Sequence, residues 1–83
     1  MSEVSIIIRT ADQTRKAEVS MASNTTGADV IQASVDNWSL PTDTDYSLVN
    51  VTSGKTVIPT ATLNSLEVKN GDILEVQPVL VAG

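Results

Sequence analysis

The sequence predicts an α+β domain: a mixed four- to five-stranded sheet with one helix packed on one face. Two aliphatic runs near the N-terminus alternate with a period of two, the mark of half-buried strands. A single stretch, behind a good N-cap, carries apolar residues at helical spacing. The composition agrees, with 41% hydrophobic residues but only 2% aromatic. A core without phenylalanine must come from Val, Ile and Leu, residues that favour strands.

The first strand is read from Val4 to Thr10, with Val4, Ile6 and Ile8 on one face and Ser5, Ile7 and Arg9 on the other. A short polar turn, "ADQT", leads to "RKAEVSM", where Ala17, Val19 and Met21 alternate with Lys16, Glu18 and Ser20. The two runs are close enough for an antiparallel hairpin. Thr26 then reads as an N-cap, with Asp29 three residues on, as in a capping box. Ile31, Val35 and Trp38 follow on one helical face, which Ala28 extends. Pro41 and the polar "TDTD" stop the helix by about Ser39. "DYSLVNV" is a third strand and "KTVI" a short fourth. "TATLNSLEV" is a helical turn or irregular loop, and "KNGD" a hairpin-type turn. "ILEVQ" is the last strand, with Ile73 or Leu74 entering the core. Pro78 has no N–H to give a ladder, so regular pairing is expected to fail there. The expected division is a domain over residues 1–77 and a flexible tail over 78–83.

Composition excludes much chemistry. With 83 residues, no Cys and no His, the chain lacks thiol nucleophiles and the usual zinc ligands. No cofactor or metal is expected, and the chain is not read as an enzyme. Asp43 and Asp45 read as a solvated turn and "NGD" as backbone punctuation. Neither Gly-rich phosphate cradles nor serine-nucleophile motifs occur. A net charge of −5 makes nucleic acid and anionic membrane poor partners. No basic region followed by a long apolar run opens the chain, and no stretch approaches the roughly 20 apolar residues of a membrane helix. A cytoplasmic monomer is expected.

One helix must cover one face of the sheet, because nothing else is available. A last strand returning beside the first makes a right-handed crossover. That arrangement is a β-grasp, and here the sequence resembles ubiquitin and its bacterial relatives. The most specific match is "TLNSLEVKNGDIL", Thr62 to Leu74, with the Thr-Leu start, an aliphatic five residues after the leucine and a turn into the final strand. Gly54-Lys55 is a second, shorter likeness, and it implies Lys55 as a possible chain acceptor; otherwise the three lysines read as solubilising charges.

Ile7 faces away from the single helix, and Val49, Val51 and Val76 are expected to join it, depending on register. Aliphatics on an uncovered sheet face suggest a partner site, and in the ubiquitin family that face is the common docking surface. Trp38, by contrast, is read as closing the core. The chain ends "VQPVLVAG". The resemblance implies that Gly83 presents its carboxylate for adenylation and conjugation, with Ala82 keeping the approach narrow and Val79, Leu80 and Val81 lying in an enzyme channel as an added strand. Ubiquitin-like modifiers and sulfur carriers end in Gly-Gly; an Ala-Gly ending is similar to ubiquitin-like proteins of bacterial operons. The partners so implied are an activating enzyme, a conjugating enzyme, a JAMM-type metalloprotease and protein targets. A type VII secretion adaptor, a sulfur carrier and a purely structural or designed β-grasp are the alternatives.

Overall fold

The computed structural model describes residues 3–79. In chain order the elements are β1 (Glu3–Thr10), β2 (Lys16–Ala22), α1 (Gly27–Trp38), β3 (Tyr46–Asn50), β4 (Lys55–Val57) and β5 (Ile73–Pro78). They form one mixed sheet in the order β2-β1-β5-β3-β4. β1 runs antiparallel to β2 and parallel to β5, while β3 is antiparallel to both β4 and β5. The last strand therefore inserts between the first and third.

The alternation predicted for β1 and β2 is observed. Ile6 pairs with Val19 and Ile8 with Ala17, placing their side chains on the helix side. The connecting turn is organised by Asp12. Its Oδ1 accepts from the Thr10 hydroxyl at 2.6 Å, the Thr14 hydroxyl at 2.8 Å and the Thr14 N–H at 3.1 Å. These bonds, the one from Thr10 foremost, lower the Asp12 pKa to about 2 by favouring the carboxylate.

The buried cluster comprises Val4, Ile6, Ile8, Val30, Leu48, Val57, Leu63, Leu74 and Val76. It lies between the sheet, α1 and the loop that carries Leu63. Thr26 caps α1 as expected, accepting from the Asp29 N–H at 3.2 Å. Ser39 closes the helix in the left-handed region and donates its N–H to the Val35 carbonyl.

The helix face differs from the predicted one. Gly27, Val30 and Ser34 form the buried stripe. Ile31, Val35 and Trp38 are half-buried and Ala28 is exposed. The reason lies at the helix start, where a Cβ on Gly27 would come within 2.9 Å of the Ile58 carbonyl oxygen. The backbone there seats directly on the following loop, with Gly27 N–H donating to Ala61 O and Ala28 N–H to Pro59 O. That contact rotates α1 so that the glycine faces inward. The buried Ser34 hydroxyl is satisfied by the Val30 carbonyl at 2.9 Å.

The "KNGD" turn also differs from expectation. β4 and β5 are not neighbours, so it is not a hairpin. It fastens the start of β5 to β1 and β3 instead. Asn70 Oδ1 accepts from the Ser5 N–H at 2.8 Å, and Asp72 Oδ2 accepts from Asn50 Nδ2 at 2.9 Å. Gly71, at φ 89°, supplies the left-handed backbone that lets the loop reverse.

Pairing does not fail at Pro78. Tyr46 stands opposite Pro78, and the Val79 N–H donates to the Asp45 carbonyl at 2.8 Å. This phase makes Tyr46–Pro78 a non-hydrogen-bonded pair. The missing N–H of Pro78 thus points away from β3, beyond the last β1–β5 pair, Thr10–Val76. Proline is tolerated in a strand at such positions.

Candidate functional site

Among the described residues, no helix lies over the second face of the sheet. Strand alternation assigns its side chains. β1 contributes Ser5, Ile7 and Arg9; β2 contributes Lys16, Glu18 and Ser20; β5 contributes Ile73, Glu75 and Gln77; and β3 contributes Ser47 and Val49. Ile7 sits directly beside Ile73 in the parallel register, and both are half-buried. Val49 lies across from Glu75 and is half-buried too. Val51 extends this side at the end of β3, is 39% exposed and donates its N–H to Ile73 O.

A charged network borders this aliphatic patch in the next row of the sheet. Arg9 Nε lies 2.8 Å from Glu75 Oε2, and Gln77 Nε2 donates to Glu75 Oε1 at 2.7 Å. Both oxygens of Glu75 are therefore engaged, and its pKa is held below the ordinary glutamate value. The Gln77 hydrogen bond is the largest cause; Arg9 adds to it, against the opposing effect of burial. A depressed folded-state pKa contributes stability that is present above the unfolded pKa and lost as pH falls through the folded one. Glu75→Gln is thus expected to be less stable than the parent at neutral pH. The gap should close as pH drops below 4.5, the ordinary glutamate value. Denaturant unfolding of both proteins at a series of pH values checks this; a gap independent of pH contradicts the assignment.

The structure sorts the residues expected to bind a partner. Ile7, Val49 and Val51 are on the uncovered side. Val76 is not: it is 2% exposed and belongs to the core, facing the helix layer with Leu74. The side chains of β5 alternate, so burying Leu74 buries Val76 and turns Ile73 outward. Ile73 is the aliphatic residue that the sequence reading missed on this face. A signal for it existed, because Ile73 shares its face with Glu75, and a buried unpaired carboxylate is costly. Lys55 is exposed at the start of β4, opposite Asn50, with Gly54 before it at φ 75°. Val79 is 40% exposed. Leu80, Val81, Ala82 and Gly83 lie outside the described residues.

Trp38 packs half-buried against the margin of the core. Asp43 and Asp45 are exposed, and among the described residues no group of three or more His, Cys, Asp or Glu side chains could hold a metal ion. No described helix is long and apolar enough to cross a membrane.

Among solved structures, the ubiquitin of Caldiarchaeum subterraneum is similar to this chain with a TM-score of 0.78 and 29% identity, over 99% of this chain and 100% of that one. The fold is the ubiquitin-like β-grasp. A designed protein based on ubiquitin is similar at a TM-score of 0.76 and 20% identity, over 98% of this chain and 95% of that one, a level that speaks to fold alone. No protein-family model and no curated protein matches the chain. In this ubiquitin-like β-grasp the parallel β1–β5 pair brings Ile7 to Ile73 and Arg9 to Glu75 across nearly the whole length of the sequence. The polar network leaves the open face amphipathic: an aliphatic patch flanked by a neutralised ion pair.

Proposed function

We propose that this chain is a ubiquitin-like protein modifier that supplies a carboxylate and a docking surface to partner enzymes. The supporting observation is the likeness to Caldiarchaeum subterraneum ubiquitin, which runs over the full length of both chains rather than over a shared core. In this reading the Gly83 carboxylate attacks the α-phosphate of ATP on an activating enzyme. An acyl-adenylate forms and pyrophosphate leaves. A cysteine thiol of the enzyme then displaces AMP, and a lysine amine of the target finally displaces the thiol to give an isopeptide bond. The activating and conjugating enzymes provide the acids, bases and nucleophiles, and a JAMM-type metalloprotease reverses the linkage.

The roles of this chain's residues follow from reach and size. From Val79, the last described residue, whose N–H is given to Asp45 O, four residues extend roughly 13 Å to Gly83. Glycine there, after Ala82, minimises bulk beside the reacting carbonyl, while Val79, Leu80 and Val81 line the channel as an extended strand. Ile7, Val49 and Val51, with Ile73, form the face that docks the activating enzyme, and Lys55 is the candidate acceptor for chains.

Ile7→Glu tests the docking face. The new carboxylate stands beside Ile73 and near Glu75, so it disrupts the aliphatic patch without entering the core. The variant is expected to keep a single cooperative melt and to lose affinity for an activating enzyme in a calorimetric titration. Unchanged affinity would remove this face from the reading.

A further inference from the structure

A groove lies at the opposite side of the sheet from the docking face, between β2 and α1. It has a volume of about 410 Å³ and is lined mainly by Ile8, Ala17, Val19, Met21, Ala33 and Trp38. Its floor is apolar, yet Val19, Met21 and Trp38 are only partly buried. The groove opens beside the outer edge of β2, the end strand of the sheet among the described residues. The phase of the ladder is fixed by the Thr10 N–H donating to Arg15 O. In that phase the backbone N–H and C=O groups of Lys16, Glu18 and Ser20 point away from β1. An extended segment added here would gain ladder hydrogen bonds from the edge and place alternate side chains in the groove.

We propose that this edge and groove take the Leu80–Gly83 segment of a second copy of the chain. The segment "LVAG" carries no charged side chain, and Leu80, Val81 and Ala82 are aliphatic. It therefore suits an uncharged groove, whereas the net charge of −5 opposes most other contacts between copies. From Val79, whose N–H is given to Asp45 O, four residues extend roughly 13 Å, close to the roughly 14 Å from Lys16 to Ser20 along a strand. A chain's own segment does not fit. β1 stands between β5 and β2, so two strand spacings, about 10 Å, are consumed before the edge is reached. The Ala11–Arg15 turn must be rounded as well. The contact is heterologous, head to tail, and withholds the segment from any other binder. This inference goes beyond the modifier reading and does not depend on it.

Trp38 is the single tryptophan, so its emission reports on the groove directly. The test uses the full ¹⁵N-labelled chain over a dilution series, together with a synthetic peptide of residues 77–83. On concentration, amide signals of Ala17, Val19 and Met21 and the Trp38 indole signal are expected to shift, with a change in Trp38 emission. Excess peptide is expected to reproduce those shifts. A Leu80→Asp, Val81→Asp double variant, which leaves the groove intact, should lose the concentration dependence yet still respond to the peptide; Val19→Asp should lose both. The proposal is overturned if neither concentration nor peptide moves these signals. It is equally overturned if the shifts centre on Ile7 and Val49, or if the tail variant self-associates like the parent.

Discussion

Replacing Ile6 with alanine is expected to cost about 2–5 kcal/mol of folding stability, because a fully buried aliphatic side chain is lost and a cavity remains. Stability of roughly 0.05–0.15 kcal/mol per residue puts a domain of 83 residues at about 4–12 kcal/mol, so the loss is at least about a sixth of the total. Ile8, 4% exposed and on the same face, is expected to behave alike. Ile7 stands between them in sequence but on the uncovered side, so Ile7→Ala should cost less than about 1.5 kcal/mol. Denaturant midpoints of the three variants form one experiment, since the residue type is constant and only the face changes. Equal losses at all three positions would contradict the layering of a single helix on one side of the sheet.

Deleting Gly83 is expected to leave stability nearly unchanged, because among the described residues the core cluster ends with Val76 and the last ladder bond is that of Val79. It should nevertheless abolish adenylate and thioester formation with a cognate activating enzyme. The reacting carboxylate would sit one residue short, on an alanine whose Cβ crowds the approach. Gly83→Val keeps the reach and adds bulk, and should block the same step. ATP–pyrophosphate exchange separates the cases. A deletion variant activated as well as the parent would remove the terminal carboxylate from the mechanism and leave a non-conjugated adaptor as the better account.

Local physics made part of this molecule legible. Alternation at Val4, Ile6 and Ile8 against Ala17, Val19 and Met21 needs no long-range knowledge, and neither does the Thr26 cap. The helix stripe needed more. Its rotation is set by Gly27 packing on the Ile58–Pro59 backbone, a contact between residues over thirty positions apart that no 3.6-residue period encodes. Pro78 was misjudged because a missing N–H matters only on the side where a partner strand runs, and that side depends on register. The face that each candidate residue occupies was legible only in part, for the same reason. Ile7 was assigned to its face by its own strand's alternation. Val76 and Ile73 could be assigned only by fixing the phase of β5, which Glu75 indicates. The Arg9–Glu75 pair depends on the parallel register of two strands at opposite ends of the chain and had no sequence signal at all.

The central claim is that this chain becomes covalently joined to other proteins through Gly83. Trypsin supplies the most direct test, because Lys69 is the last basic residue of the sequence. Any target lysine joined to Gly83 must retain residues 70–83 as a branched remnant after digestion. Affinity purification of the tagged chain from its native cells, followed by mass spectrometry of the digest, should find that remnant on lysine side chains of other proteins, and the remnant should vanish in the Gly83 deletion variant. Recovery of co-purifying proteins whose lysines all lack the remnant, together with intact unmodified chain, would contradict the account.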